Sequence, residues 1–127
     1  MDNWMVWAAG AVLLYFMLKP GVPADAKLSP AEVKDAMAKQ KDLQLVDVRT
    51  KDEFGGGRIS GARNLPLGDL GGRLAELSKD KPLIVYCRSG ARSSAALNQL
   101  RGAGFAQAKH MQGGILAWQG AGYPVGR

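Results

Sequence analysis

The chain has 127 residues, of which 46% are hydrophobic and 22% charged, with 17 Lys and Arg against 11 Asp and Glu for a net charge of +6. That length holds one domain and at most a short appendage, and that balance excludes a disordered or low-complexity chain. A single cysteine, Cys87, and a single histidine, His110, exclude an intramolecular disulfide framework and a Cys/His zinc site, and no metal or cofactor is implied.

Residues 4–18 contain no charged side chain, and Lys19-Pro20-Gly21 ends the run. As a helix, fifteen residues reach about 22 Å, short for a hydrocarbon core of about 30 Å, although Lys19 can snorkel and a thin bilayer can adapt. Trp4 and Trp7 suit a membrane interface. A second reading is a cleaved secretory signal, since Ala24-Asp25-Ala26 has the small-x-small form of a cleavage site. Against it, no positive n-region precedes the run, and Lys19, Lys27 and Lys34 follow it. The expectation is therefore a single-pass transmembrane anchor over 1–19, with the C-terminal domain on the cytoplasmic side of the inner (plasma) membrane. The alternative is export after cleavage.

Residues 20–24 read as a short stiff linker and 25–127 as the domain. The domain keeps the positive charge, with 16 Lys and Arg against 10 Asp and Glu in residues 20–127. Such a surface attracts small anions. The basic residues are scattered without a basic run or interleaved aromatics, which argues against nucleic acid.

Ser29-Pro30-Ala31-Glu32 has the form of a capping box with proline at the first helical position, and predicts a helix through about Lys39. Leu45–Val48 reads as a buried strand, and a short helix around Lys51–Phe54 ends in Gly55-Gly56-Gly57. A helix is predicted over Asp69–Leu77 and a central strand over Leu83–Tyr86. A further helix is predicted over Ser93–Leu100, closed by Gly102 and Gly104, then a strand over Ala108–Met111 and a short helix over Ile115–Gln119. Short apolar strands alternating with helices predict an α/β layer around a largely parallel sheet, where ligands collect beyond the strand C-termini.

Cys87 stands at such an end. It opens the loop Cys87-Arg88-Ser89-Gly90-Ala91-Arg92, ahead of a helix, so backbone N–H groups and the positive helix end can converge on the sulfur and, with two guanidiniums, favour thiolate. A lone cysteine can also be a small core residue. Arg88 and Arg92 beside it argue against that, because two charges at a strand end are poor core material.

Four stretches in order carry a resemblance: Asp47-Val48-Arg49 with Glu53-Phe54; Gly57 through Pro66; the Cys87 loop; and Gly113-Gly114-Ile115-Leu116-Ala117-Trp118 with Gly122-Tyr123-Pro124-Val125. Over about residues 25–126 the chain resembles a single-domain rhodanese. The resemblance implies an α/β fold with a central, mostly parallel five-stranded sheet and helices on both faces, here with an N-terminal apolar helix added. It also implies a cysteine that carries sulfur as a persulfide. Arg58, where many members have histidine, and Ser60, often proline, depart from the pattern outside the loop. Four residues separate Cys87 from Arg92, the sulfurtransferase form, whereas related phosphatases and arsenate reductases of this fold use a loop one residue longer.

The implied activity is that of a thiosulfate sulfurtransferase: Cys87 takes sulfane sulfur from a small anionic donor and passes it to a thiol, cyanide or a sulfur-acceptor protein. Arg88, Ser89, Gly90, Ala91 and Arg92 are the expected substrate-binding loop, with Arg88 holding the donor and Arg92 assisting or ordering the loop. Asp47, Arg49 and Glu53 are expected to form structural ion pairs, with Arg49 bordering the pocket. Trp118 is expected in the core or pocket wall, and His110 in a structural role. The competing function is a persulfide or redox sensor, or a sulfur-carrier binding module, on the same fold.

Overall fold

The computed structural model describes residues 24–127, so the expected anchor over 1–19 and most of the linker lie outside the described residues. Among the described residues, no helix is long and apolar enough to cross a membrane. The elements in chain order are β1 (Lys27–Leu28), α1 (Pro30–Lys39), β2 (Gln44–Asp47), α2 (Lys51–Gly55), β3 (Arg63–Asn64), α3 (Leu67–Leu70), β4 (Leu83–Tyr86), α4 (Ala91–Gly102), β5 (Ala108–Met111) and α5 (Gly114–Gly120). Two 3-10 turns, Ala24–Ala26 and Leu74–Glu76, complete them.

The strands form one sheet in the order β1-β5-β4-β2-β3, and every ladder is parallel. All four residues of β4 are buried, as expected of a central strand covered on both faces. Because side chains alternate along a strand, β4 feeds two cores. Leu83, Val85 and Cys87 point to one face and pack with Ala96, Leu97 and Leu100 of α4 and Leu70 of α3. Ile84 and Tyr86 point to the other and pack with Val33 of α1, Ile59, and Ile115 and Trp118 of α5. Cys87 thus leaves the sheet on the α4 side, already buried by the strand's own periodicity.

Local chemistry explains where several helices begin. Ser29 Oγ accepts from the Glu32 amide at 3.1 Å while Glu32 returns a bond to the Ser29 amide, the expected capping box. Thr50 and Glu53 form a second one at the start of α2. The expected helix over Asp69–Leu77 is not continuous. It breaks at Gly71-Gly72 into the single turn of α3 and the 3-10 turn Leu74–Glu76, because paired glycines carry a high entropic cost in a helix. Helix α4 begins at Ala91, two residues before the predicted Ser93.

Candidate active site

Gly90 precedes α4 with φ +115°, a left-handed conformation open to glycine, and no side chain caps the helix. The first-turn amides therefore need another acceptor, and the Cys87 sulfur supplies it. Sγ lies 3.1 Å from the Gly90 amide and 3.3 Å from the Ser93 amide, where a capping oxygen would ordinarily stand. The Ser93 hydroxyl stands 3.6 Å from the sulfur, accepting from the thiol and able to turn and donate once the sulfur is ionised. Burial pushes the thiol's pKa up, since Cys87 is 1% exposed. The Ser93 hydroxyl and the amides of Ser93, Gly90 and Ser89 more than offset that, and the thiol ends below its ordinary value. The sequence assigned part of this effect to the two guanidiniums; the donors that dominate are instead amides and one hydroxyl.

The two arginines have separate surroundings. Arg92 forms a bidentate pair with Glu53 at 2.6 and 2.9 Å, tying the end of the loop to α2. That pair holds the Glu53 carboxyl down to about 2. Arg88 is exposed and lines a cavity of about 280 Å³ together with Arg49, Glu53, Gly57, Leu116 and Val125. Leu116 and Val125 are the large exposed hydrophobic residues among those described. Ser89 and Ala91 are exposed on the loop, and Ala91 is the first residue of α4.

Asp47 and Arg49 form the structural pair expected of them. Both are buried, Arg49 Nη2 donates to Asp47 Oδ2 at 2.7 Å, and Nε reaches both carboxylate oxygens at 3.0 Å. The same Nη2 donates to Gly57 O, and the carbonyls of Asp47 and Arg49 accept from Asn64, so the pair holds the strand end, β3 and the glycine loop in register. Arg49 also borders the cavity, as the sequence suggested. Trp118 belongs to the core. Its indole N–H donates to Pro124 O at 2.8 Å and its ring meets Tyr123 edge-on, which anchors the C-terminal tail.

Three contributors were not visible as such in the sequence. Gly114 adopts φ +62° directly beneath the loop, and any Cβ there would collide with the Arg88 carbonyl group and come within 2.5 Å of Cys87 O. That closeness lets the Ile115 and Leu116 amides of α5 donate to the carbonyls of Cys87 and Arg88 at 2.8 and 3.1 Å. The second helix thus clamps the loop from below while α4 supplies donors from the side. Ser93, read only as a helix residue, touches the sulfur. His110, expected to be structural, lies on β5 with Nδ1 3.0 Å from Ser93 Oγ. The Gly-Gly pair ahead of an apolar helix was the one sequence signal that could have exposed a close backbone approach.

A cavity of about 650 Å³, larger than the one at Arg88, lies between α1 and the starts of β4 and β5. It holds no nucleophile, and in a parallel sheet the strand N-termini are the unfavoured end for ligands. The Cys87 end holds the candidate nucleophile.

The rhodanese-like domain model matches residues 29–121, a span that includes the loop and both glycines beneath it. A protein of Allochromatium vinosum named sulfurtransferase is 35% identical over 99 residues, covering 78% of this chain and 92% of its own. The thiosulfate sulfurtransferase GlpE of Shewanella oneidensis is 35% identical over 85 residues, covering 67% of this chain and 84% of its own. Among solved structures, a rhodanese-related protein of Thermoplasma volcanium superposes with a TM-score of 0.72 at 31% identity, covering 79% of this chain and 96% of that one.

Proposed function

The chain belongs to the rhodanese-like family and is sulfurtransferase-like, and from that premise we propose that it moves sulfane sulfur from thiosulfate to a thiophilic acceptor through a persulfide on Cys87. The observation that carries the reading is the sulfur itself: buried, at a strand end, accepting from two backbone amides and lying against the Ser93 hydroxyl, groups that together favour its anion.

In the first half-reaction the Cys87 thiolate attacks the outer sulfur of thiosulfate. A Cys87–sulfur bond forms, the donor's S–S bond breaks, and its electron pair leaves with sulfite. In the second, cyanide or a thiolate attacks the outer sulfur of the persulfide and Cys87 departs as thiolate. Charge balances in each step without a general base, consistent with carboxylates that are paired to arginine rather than poised beside the sulfur. The loop amides stabilise the anion before and after transfer. Arg88, with no ion-pair partner among the described residues, offers its planar fork to the sulfonate oxygens of the donor.

Intact mass spectrometry tests the chemistry. Thiosulfate should add one sulfur, about 32 Da, to the parent, and Cys87→Ser should acquire none and turn over less than a few per cent of the parent rate. Steady-state assay with thiosulfate and cyanide, glutathione or thioredoxin then separates enzyme from sensor. Stoichiometric labelling without turnover would replace the transferase reading with a persulfide sensor.

Residues 1–19 are proposed as a single-pass anchor joined by 20–24 to a domain, 25–127, on the cytoplasmic side of the plasma membrane. The support is the uncharged run 4–18 and the lysines that follow it. Full-length protein should sediment with membranes, and deletion of 1–19 should release an active domain. A mature N-terminus at Lys27 would establish export instead.

A further inference from the structure

Behind the nucleophile, a line of side chains runs from the loop into the sheet. Ser93 Oγ lies 3.6 Å from Cys87 Sγ, 3.1 Å from Gly90 O and 3.0 Å from His110 Nδ1. All three side chains are buried. A hydroxyl has one proton, so Ser93 can donate to only one of these three groups at a time. The histidine decides whether it competes. If Nδ1 is bare it accepts the Ser93 proton and the sulfur loses its hydroxyl donor. If Nδ1 carries a proton it donates to Ser93 Oγ, withdraws from the competition and leaves the Ser93 proton to Gly90 O or the sulfur. Between those two, a charged sulfur attracts the proton more strongly than a neutral carbonyl.

We propose that His110 is a positioning residue for the nucleophile: neutral and protonated on Nδ1, it donates to Ser93 Oγ and so turns the Ser93 hydroxyl toward the Cys87 thiolate. Ser93 occupies the third position of α4 and His110 the third of β5, and the close packing of these two elements holds the donor chain. The neutral form is favoured by the surroundings. Burial lowers the imidazole's pKa, and Lys27, its register partner on β1, lowers it further. Among the described residues, the other elements against β5 add little charge at this point. Asp25, on the turn before β1, is solvent-exposed, Arg101 of α4 is bound to Ala108 O, and the β4 neighbour is Val85.

The inference rests on Cys87 being the working thiolate, and its tests read the thiolate without any sulfur donor, so failure of the transferase reading would leave them interpretable. Because His110 is the chain's only histidine, the 15N spectrum of full-length protein labelled at histidine reports its tautomer directly. The expected result is a protonated Nδ1 at neutral pH, and a bare Nδ1 overturns the proposal. Alkylation of Cys87 with iodoacetamide, followed against pH, measures its ionisation. His110→Phe removes the donor that fixes and polarises the Ser93 hydroxyl and should raise the apparent pKa by roughly 0.3 of a unit, slowing alkylation about twofold below that pKa, whereas loss of a bare, competing Nδ1 would lower the pKa and speed alkylation. His110→Asn, whose amide nitrogen can stand near the place of Nδ1, should recover most of the rate. On a Ser93→Ala background, His110→Phe should add no further shift. An unchanged pKa in His110→Phe, or a full shift that persists without Ser93, would mean that His110 only fills space. Should His110→Phe fail to fold, the parent spectrum and the His110→Asn profile still decide the matter.

Discussion

On its inner side the Cys87–Arg92 loop is held by backbone, and on its outer side by long charged side chains. Inside, two amides from the start of α4 point at the sulfur and two from the start of α5 grip the carbonyls of Cys87 and Arg88. Outside, Arg92 is fixed to Glu53 while Arg88 faces an open cavity. The difference assigns separate tasks. Ionisation of the sulfur is favoured by groups that cannot move without unfolding a helix end, and in the proposed sulfur transfer donor capture would fall to a side chain free to reorganise around what it binds.

The inner side is where a small change should cost most. Gly114→Ala places a methyl group against the Arg88 backbone at a left-handed φ, so either α5 withdraws or the loop is pushed out of shape. We expect a stability loss of about 2–4 kcal/mol in urea unfolding, together with slowed Cys87 alkylation. Gly102→Ala is the control, since that position in α4 has open space around it and should gain a few tenths of a kcal/mol. Equal behaviour of the two variants would show that the clamp beneath the loop bears no strain.

Substitutions on the outer side should change substrate use with little change in stability. Arg88→Ala is expected to lower kcat/KM for thiosulfate by about five- to 150-fold, one to three kcal/mol, with an unchanged urea midpoint. Arg88→Lys should recover part of the loss, because an ammonium supplies charge without the planar fork. A neutral persulfide donor should be affected much less. Arg92→Ala should show the opposite profile, a lower midpoint with thiosulfate and the neutral donor affected alike. If both donors lose equally in Arg88→Ala, Arg88 shapes the loop and does not capture the donor.

The outer side was largely legible in the sequence, and the inner side much less so. A four-residue apolar run, a cysteine, a loop with glycine and a helix in succession identify the nucleophile, because each signal is local. β1 and β3 span two residues each, too few to show any alternation, and only the resemblance implied five strands. The helix expected over Asp69–Leu77 followed apolar spacing across Gly71-Gly72 and missed the break. Ser93 and His110 stand 17 positions apart and meet because α4 packs on β5. Glu53 and Arg92 stand 39 apart and meet because β2 and β4 are adjacent. Such pairings are created by topology, and no window along the chain contains both partners. His110 was read as structural for that reason, while the amides converging on the sulfur were legible from the strand, loop and helix order, and the Ser93 hydroxyl beside them was not.

The smallest expected effect concerns the joint between the two sides, the Glu53–Arg92 pair. Its Arg92 hydrogen bond is the largest cause of the low Glu53 pKa, opposed by burial and assisted by the Thr50 amide and hydroxyl. A carboxyl held at about 2 in the folded chain, against 4.5 for the free group, stabilises the fold above about pH 4.5 and loses that contribution as pH falls toward 2. The side chains are 28% and 36% exposed, so solvent screening limits the contribution to about 1 kcal/mol or less. Urea midpoints at pH 7 and pH 3 should therefore differ less in Glu53→Gln than in the parent, the gap between the two differences being the share of this one carboxylate. Other acids titrate over the same interval, but they do so in both proteins and cancel. Equal falls would mean that Arg92 finds the same support in water, and that the loop's far end is fixed by α4 alone.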